Sequence, residues 1–265
     1  MLEDVYIWLV GDNLLVIGGL GFVTLAGAYE VAFRIGQRRN RRQPGCEGVS
    51  TIVGGMIGLL SFALGLTIGY AQDRSEARRD EIVVEANAIG TAWLRAKALG
   101  GEEGTAIAKS IEELAKTELA YTTARAVDPD NELAARRGAL QDKIWELTQT
   151  VARRDANLIA TVMMTAINEM FDAEQAERFA FESRVPLTLS WMLLWGALLA
   201  IAALGYQLGL AGARYPVLVS LLLLMWTGAL GLIVDLNRPR LGSIHVDPAP
   251  LIWTIESFKM PSPAH

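Results

Sequence analysis

The sequence predicts an all-α membrane protein with four transmembrane helices and a large extramembrane helical bundle between the second and the third. Apolar residues are gathered into blocks at 14–33, 51–70, 186–210 and 216–234, each close to the ~20 residues needed to cross a bilayer. Charge is dense between 71 and 185, where apolar residues recur every three or four positions. That stretch has none of the period-two alternation of a strand. A chain with mean hydropathy of +0.29 and 52% hydrophobic residues, so segregated, is organised around a bilayer rather than a single aqueous core.

At the N-terminus, Val5–Val10 is a short apolar lead-in closed by Gly11-Asp12-Asn13. The start is acidic and lacks the basic flank of a secretory signal, so the first apolar block is read as a retained anchor. Within that span Glu30 lies one turn from the end, where it can reach the interface or pair with Arg34. Residues 34–50 read as a polar loop with Arg34, Arg38, Arg39, Arg41 and Arg42 against a single acid, Glu47.

The second span runs without a break into a charged amphipathic stalk, with no proline between Pro44 and Pro129. Gly54, Gly58, Ser61, Gly65 and Gly69 fall on one helix face. Two uses of that face stay open: a packing seam within one subunit, with Gly54, Gly58 and Gly69 as the close-approach positions, or the lining of a pore around an oligomer axis. The face beside it, with Phe62 and Thr67, is the other candidate for lining a pore.

The stalk carries Ile82, Ala86, Ile89, Trp93 and Ala96 on one stripe and stops at Gly100-Gly101. A second bundle helix is expected from about Glu103 to Val127, then a turn at Asp128-Pro129-Asp130-Asn131. The third is expected to carry Leu133, Leu140, Ile144, Leu147 and Val151 and to continue through Leu158, Val162, Ala166 and Met170. The charged segment from Asp172 to Arg184 returns the chain to Pro186, which opens the third span. After the fourth span the proline-rich tail is expected to be partly extended. The domain division is therefore 1–70, 71–185, 186–236 and 237–265.

A cluster of polar residues is expected near the junction of bundle and membrane: Glu85, Asn87, Thr91 and Arg95 on the stalk, Asn168 and Glu169 on a returning helix, and Asp235 and Arg238 closing the fourth span. It reads either as a hydrogen-bonded network or as a polar vestibule for ions or a small ligand. Asp235 needs a partner at a membrane edge, and Arg238 or Arg240 is the expected one.

The net charge of −5 argues against a nucleic-acid partner. The single cysteine, Cys46, excludes an intrachain disulfide and a cysteine metal cage. No phosphate-binding loop, Cys-x-x-Cys, His-Glu-x-x-His or Gly-x-Ser-x-Gly motif is present, and His245 and His265 have no nucleophile nearby. The expectation is a non-enzyme without cofactor or metal. Four spans place the N-terminus, bundle and tail on one side. Five arginines follow the first span and none precede it, which places the short loops in the cytoplasm and the bundle outside the inner membrane.

The runs Gly-Leu-Leu-Ser-Phe-Ala-Leu-Gly-Leu-Thr (58–67), Glu-Ala-Asn-Ala-Ile-Gly-Thr-Ala-Trp-Leu-Arg (85–95), Asn-Glu-Met (168–170), Arg-Val-Pro (184–186) and Asp-Leu-Asn-Arg-Pro-Arg-Leu-Gly (235–242) resemble the DUF4239 family of bacterial membrane proteins, described as bestrophin-like. The resemblance spans nearly the whole chain. It implies a homo-oligomer in the lipid bilayer, a pentamer by analogy, that conducts anions such as chloride. The second span would line an apolar neck among Ser61, Phe62, Gly65 and Thr67. The sequence departs from bestrophins in lacking a recognisable acidic calcium clasp, and bestrophins keep the helical block cytosolic. The alternative reading is a non-conducting scaffold or sensor whose bundle binds a partner or small ligand.

Overall fold

The structure, a computed structural model, describes residues 14–40, 48–124, 131–154, 158–238 and 244–259. Among these every regular element is an α-helix: α1 (Leu14–Asn40), α2 (Val49–Leu99), α3 (Gly101–Thr123), α4 (Asn131–Arg154), α5 (Leu158–Glu182), α6 (Leu187–Ala211), α7 (Pro216–Leu236) and α8 (Ala249–Ser257). The N-terminal lead-in, Cys46, the turn at 128–130, Arg240 and the end of the tail lie outside the described residues. Four helices, α1, α2, α6 and α7, are long and apolar enough to cross a membrane.

The chain divides into two compact units, with α2 passing from one into the other near Asp73. The first holds α1, the N-terminal half of α2, α6 and α7. Its core gathers Leu25, Leu60, Leu193, Ala197, Ile201, Leu223 and Trp226. Glycine brings α1 and α6 together. A Cβ on Gly205 would fall on the Tyr29 carbonyl oxygen, one on Gly209 on that of Phe33, and one on Gly36 on that of Tyr206. The constant offset between Tyr29–Gly205 and Phe33–Gly209 makes the two helices parallel. With lipid no less apolar than a leucine side chain, such backbone approach supplies the dispersion contact that holds spans together. Thr24 and Thr227 donate their hydroxyls to the Leu20 and Leu223 carbonyls at 2.8 Å each, so neither presents a bare polar group to lipid. The Val185 amide donates to Asn237 Oδ1 at 2.7 Å, joining the entry of α6 to the exit of α7.

The second unit is an antiparallel bundle of the C-terminal half of α2 with α3, α4 and α5, joined by α8. The glycines at its first corner are required, since Gly100 and Gly101 have φ of +70° and +64°. Trp93 donates to Glu112 at 2.9 Å across the α2–α3 pair, and Arg154 pairs with Glu103 across α3–α4. Ile82, Ile89, Ile107, Ile111, Ile144, Met163, Ile167 and Met170 fill the interior. Arg78, 1% exposed, donates through Nε to the Ala180 carbonyl at 3.2 Å and through Nη2 to that of Ser183 at 2.8 Å. A guanidinium thus satisfies carbonyls at the end of α5, where the helix dipole favours a cation.

Two expectations are corrected and a third is filled in. Residues 34–50 are not all loop: α1 continues to Asn40, with Arg34 on the helix and its Nε donating to Glu30 at 2.8 Å. The third bundle helix does not run through Leu158. α4 and α5 are separate and antiparallel, with Arg137 and Gln141 meeting Glu174 and Trp145 meeting Phe171. The tail, expected to be partly extended, has no helix over 244–248. It then forms α8, with Pro248 as its cap and Pro250 in the first turn, where proline costs no hydrogen bond. α8 packs into the bundle through fully buried Leu251, and Phe258 stacks on Trp93 at 4.8 Å between ring centroids.

Candidate functional site

In the first unit α2 divides sharply into two faces. Val53, Leu60, Thr67 and Ala71 are buried and face the unit's own helices, with Met56, Ile57, Leu64 and Ile68 flanking them. At ~100° per residue, Gly54, Gly58, Ser61, Gly65 and Gly69 point the opposite way. All five are exposed, as is Phe62, which is 65% exposed. Among the described residues nothing lies within 4 Å of a Cβ built on Gly54, Gly58, Gly65 or Gly69. Among the described residues nothing packs against that row. Ser61, Phe62 and Gly65 share the uncovered side. Thr67 does not: it is 5% exposed, its hydroxyl donates to the Ala63 carbonyl at 2.8 Å, and five residues of helix turn it away from Phe62. Thr67, expected beside Phe62 in the neck, thus lies on the covered side of α2.

Glu30 makes two ion pairs, with Arg34 at 2.8 Å and with Arg214 at 3.3 Å. The Arg214 guanidinium also lies over the Phe33 ring at 4.3 Å. An acid near the end of a span is thus held by two cations, one on its own helix and one in the connection between α6 and α7.

The expected polar cluster takes a different form. Asn87, Thr91, Asn168 and Glu169 are exposed, and Asn168 donates to Asp172, four residues on. Arg95 donates to the Val162 carbonyl at 3.0 Å. Asp235 is buried within the first unit, and the Arg238 amide donates to its carbonyl oxygen at 3.0 Å. Glu85 alone sits in a buried ionic group, among residues the sequence reading did not single out. The others are Glu118 on α3, Arg137 on α4, and Glu174 and Glu177 on α5, with none of the five more than 7% exposed.

Arg137 is the hub. Its Nε lies 3.2 Å from Glu118 Oε1, its Nη2 donates to Glu174, and its guanidinium lies 4.3 Å from the centre of the Tyr121 ring. Gln141 donates to the other Glu174 oxygen. Neither carboxylate oxygen of Glu85 has a hydrogen-bond partner among the described residues. Burial, with Glu118, Glu177 and Glu174 facing it, pushes the Glu85 carboxyl well above the usual carboxylate range. Glu118 is raised to about 8 by burial, against the opposing pull of Arg137. Burial likewise raises Glu174 despite its bond to Arg137. Among the described residues no three His, Cys, Asp or Glu side chains are arranged to hold a metal ion.

These residues were legible as a pattern, since each occupies an apolar stripe. Glu118 follows Ile107, Ile111 and Leu114 at eleven, seven and four. Glu174 follows Met163, Ile167 and Met170 at the same intervals.

Comparison with known proteins fits this architecture. A crystal structure of a bacterial bestrophin homolog from Klebsiella pneumoniae, in a point-mutant form, superposes with a TM-score of 0.62. That match covers 92% of this chain and 95% of the other at 13% identity, so it speaks to the fold. A search of curated proteins found no match. The bestrophin-like domain matches residues 21–251, from within the first span through the bundle and the other three spans. On that match, the chain belongs to the bestrophin-like family.

Proposed function

We propose that the protein is an oligomeric ion channel in which α2 of each copy turns Ser61, Phe62 and Gly65 toward a shared axis and anions pass between them. The observation that carries this reading is the uncovered glycine face of α2, set opposite the unit's own core. Small residues let neighbouring copies approach closely, and Phe62 supplies the bulk that narrows the passage. Residues 51–70 carry no charged side chain, so the neck is apolar and acts by dewetting and partial dehydration. Exposed Arg38 and Arg39, at the end of α1, raise the local anion concentration on one side. Family membership and the bestrophin fold support conduction in the same direction. The inner membrane is the proposed location, with the basic loop in the cytoplasm.

Purified protein in liposomes should pass chloride, and Phe62→Ala should widen the neck and raise the flux several-fold. A well-folded oligomer that passes no chloride, with or without the substitution, would remove the proposal.

A further inference from the structure

We propose that Glu85, Glu118 and Glu174, gathered around Arg137 inside the bundle, form a proton-binding site that is loaded at neutral pH and empties in mildly alkaline solution, loosening α2 from α3–α5.

Geometry is the first ground. Glu118 and Glu174, from two helices, meet the Arg137 guanidinium; Glu85, from a third, lies within reach of their charge without touching the cation, and Glu177 faces the same group. Among the described residues the buried cations of the bundle are Arg137 and, set against the end of α5, Arg78, so with Glu85, Glu118, Glu174 and Glu177 all ionised two negative charges would stand unbalanced in the interior. Buried charges without partners are not tolerated, and carboxyls so placed take up protons instead. The second ground is Glu85 itself. It is 1% exposed, and its two oxygens receive no donor from the described residues. A carboxylate would be left wholly unsolvated there, whereas a carboxylic acid carries its own proton. The groups facing the site are Glu85 from α2, Glu118 and Tyr121 from α3, Arg137 and Gln141 from α4, and Glu174, Glu177 and Arg178 from α5. Arg178 is engaged with Glu182 at 3.0 Å.

A route to solvent exists. Glu174 and Gln141 also line an open groove of about 620 Å³ between α4 and α5. On alkalinisation a carboxyl O–H bond breaks, the proton leaves through Glu174 to water or hydroxide, and the electron pair stays on the carboxylate. The raised titration of Glu118, to about 8, sets the range in which this happens.

The test uses the full-length protein in detergent, and no readout involves ion flux, so it stands or falls apart from the channel proposal. Infrared difference spectra between pH ~6 and pH ~9.5 should show loss of a protonated-carboxyl band with a midpoint near 8. Glu85→Gln and Glu118→Gln should each remove part of that band. Amide exchange across α3–α5, corrected for its intrinsic pH dependence, should accelerate roughly tenfold or more over the same range, and Glu118→Gln should flatten the rise. Should Glu118→Gln fail to fold, Glu85→Gln alone decides by the infrared band. Absence of any protonated-carboxyl band at pH ~6 overturns the proposal. So does protection of the bundle by added calcium at fixed alkaline pH to the degree that protons protect it, because the charge would then be balanced by a metal ion.

Discussion

Arg137→Met places a side chain of similar length where a guanidinium joins three helices, and it tests how the bundle manages its buried charge. The wild-type side chain is 6% exposed, 3.2 Å from Glu118 and bonded to Glu174. Breaking a buried pair by removing one partner costs about 3–5 kcal/mol, because the partner is left as an uncompensated charge. That full cost applies only where the carboxylates are ionised. Glu118 titrates at about 8 even with Arg137 beside it, and losing the cation moves it higher. At pH ~6 both acids can therefore be neutral in the variant, and the remaining loss is that of hydrogen bonds, about 1–3 kcal/mol. At pH ~9.5 the loss should approach the larger figure, equivalent to two orders of magnitude or more in exchange protection. Amide exchange across α3, α4 and α5 of the full-length variant, compared with wild type at the two pH values, reads this directly. Adding Glu118→Gln and Glu174→Gln to Arg137→Met should recover most of the alkaline loss. An equal loss at both pH values, or none, would refute the reasoning.

Glu118→Gln alone should leave stability unchanged at acid pH and raise it at alkaline pH. A carboxyl whose folded value is raised from the ordinary 4.5 to about 8 gives stability that is full below 4.5 and lost as pH rises through 8. The gap corresponds to at most about 5 kcal/mol, and melting temperature against pH should fall for wild type and flatten for the variant. Gly209→Ala forces a methyl onto the Phe33 carbonyl oxygen, so α1 and α6 must part, at a cost of about 1–3 kcal/mol in thermal stability. Gly58→Ala meets nothing in the chain and should leave the monomer fold intact. In intact cells Cys46 should resist a membrane-impermeant maleimide and react only after permeabilisation. Labelling without permeabilisation would place the basic loop outside.

The four spans were legible because length and apolarity are properties of a segment by itself. The same holds for the stalk stripe Ile82–Ala96, whose residues are buried as the spacing requires. What failed depended on partners. Five small residues in a row say which face of α2 is smooth but not what comes to lie against it. Gly205 and Gly209, equally spaced by four, proved to be the pair that another helix covers. The break between α4 and α5 was overridden by a near-heptad count, although Asn157 just before Leu158 is a residue that favours helix starts. Glu118, Glu174 and Glu177 were missed because a glutamate in a charged helix ordinarily lies on the solvated face. The signal was its register with isoleucine and methionine, which places the carboxyl inside whatever its charge. Thr67 stands five residues from Phe62, and the helix turns the two to different sides.

The central claim is that copies of this chain meet along the uncovered face of α2, and disulfide trapping tests it most directly. With Cys46→Ser removing the only native thiol, Phe62→Cys in native membranes should give cross-linked species between copies under mild oxidation. Leu60→Cys, whose site is 7% exposed against the unit's own helices, should give none. Cross-linking at position 60 with position 62 silent, or a protein that stays a monomer at both, would contradict the account.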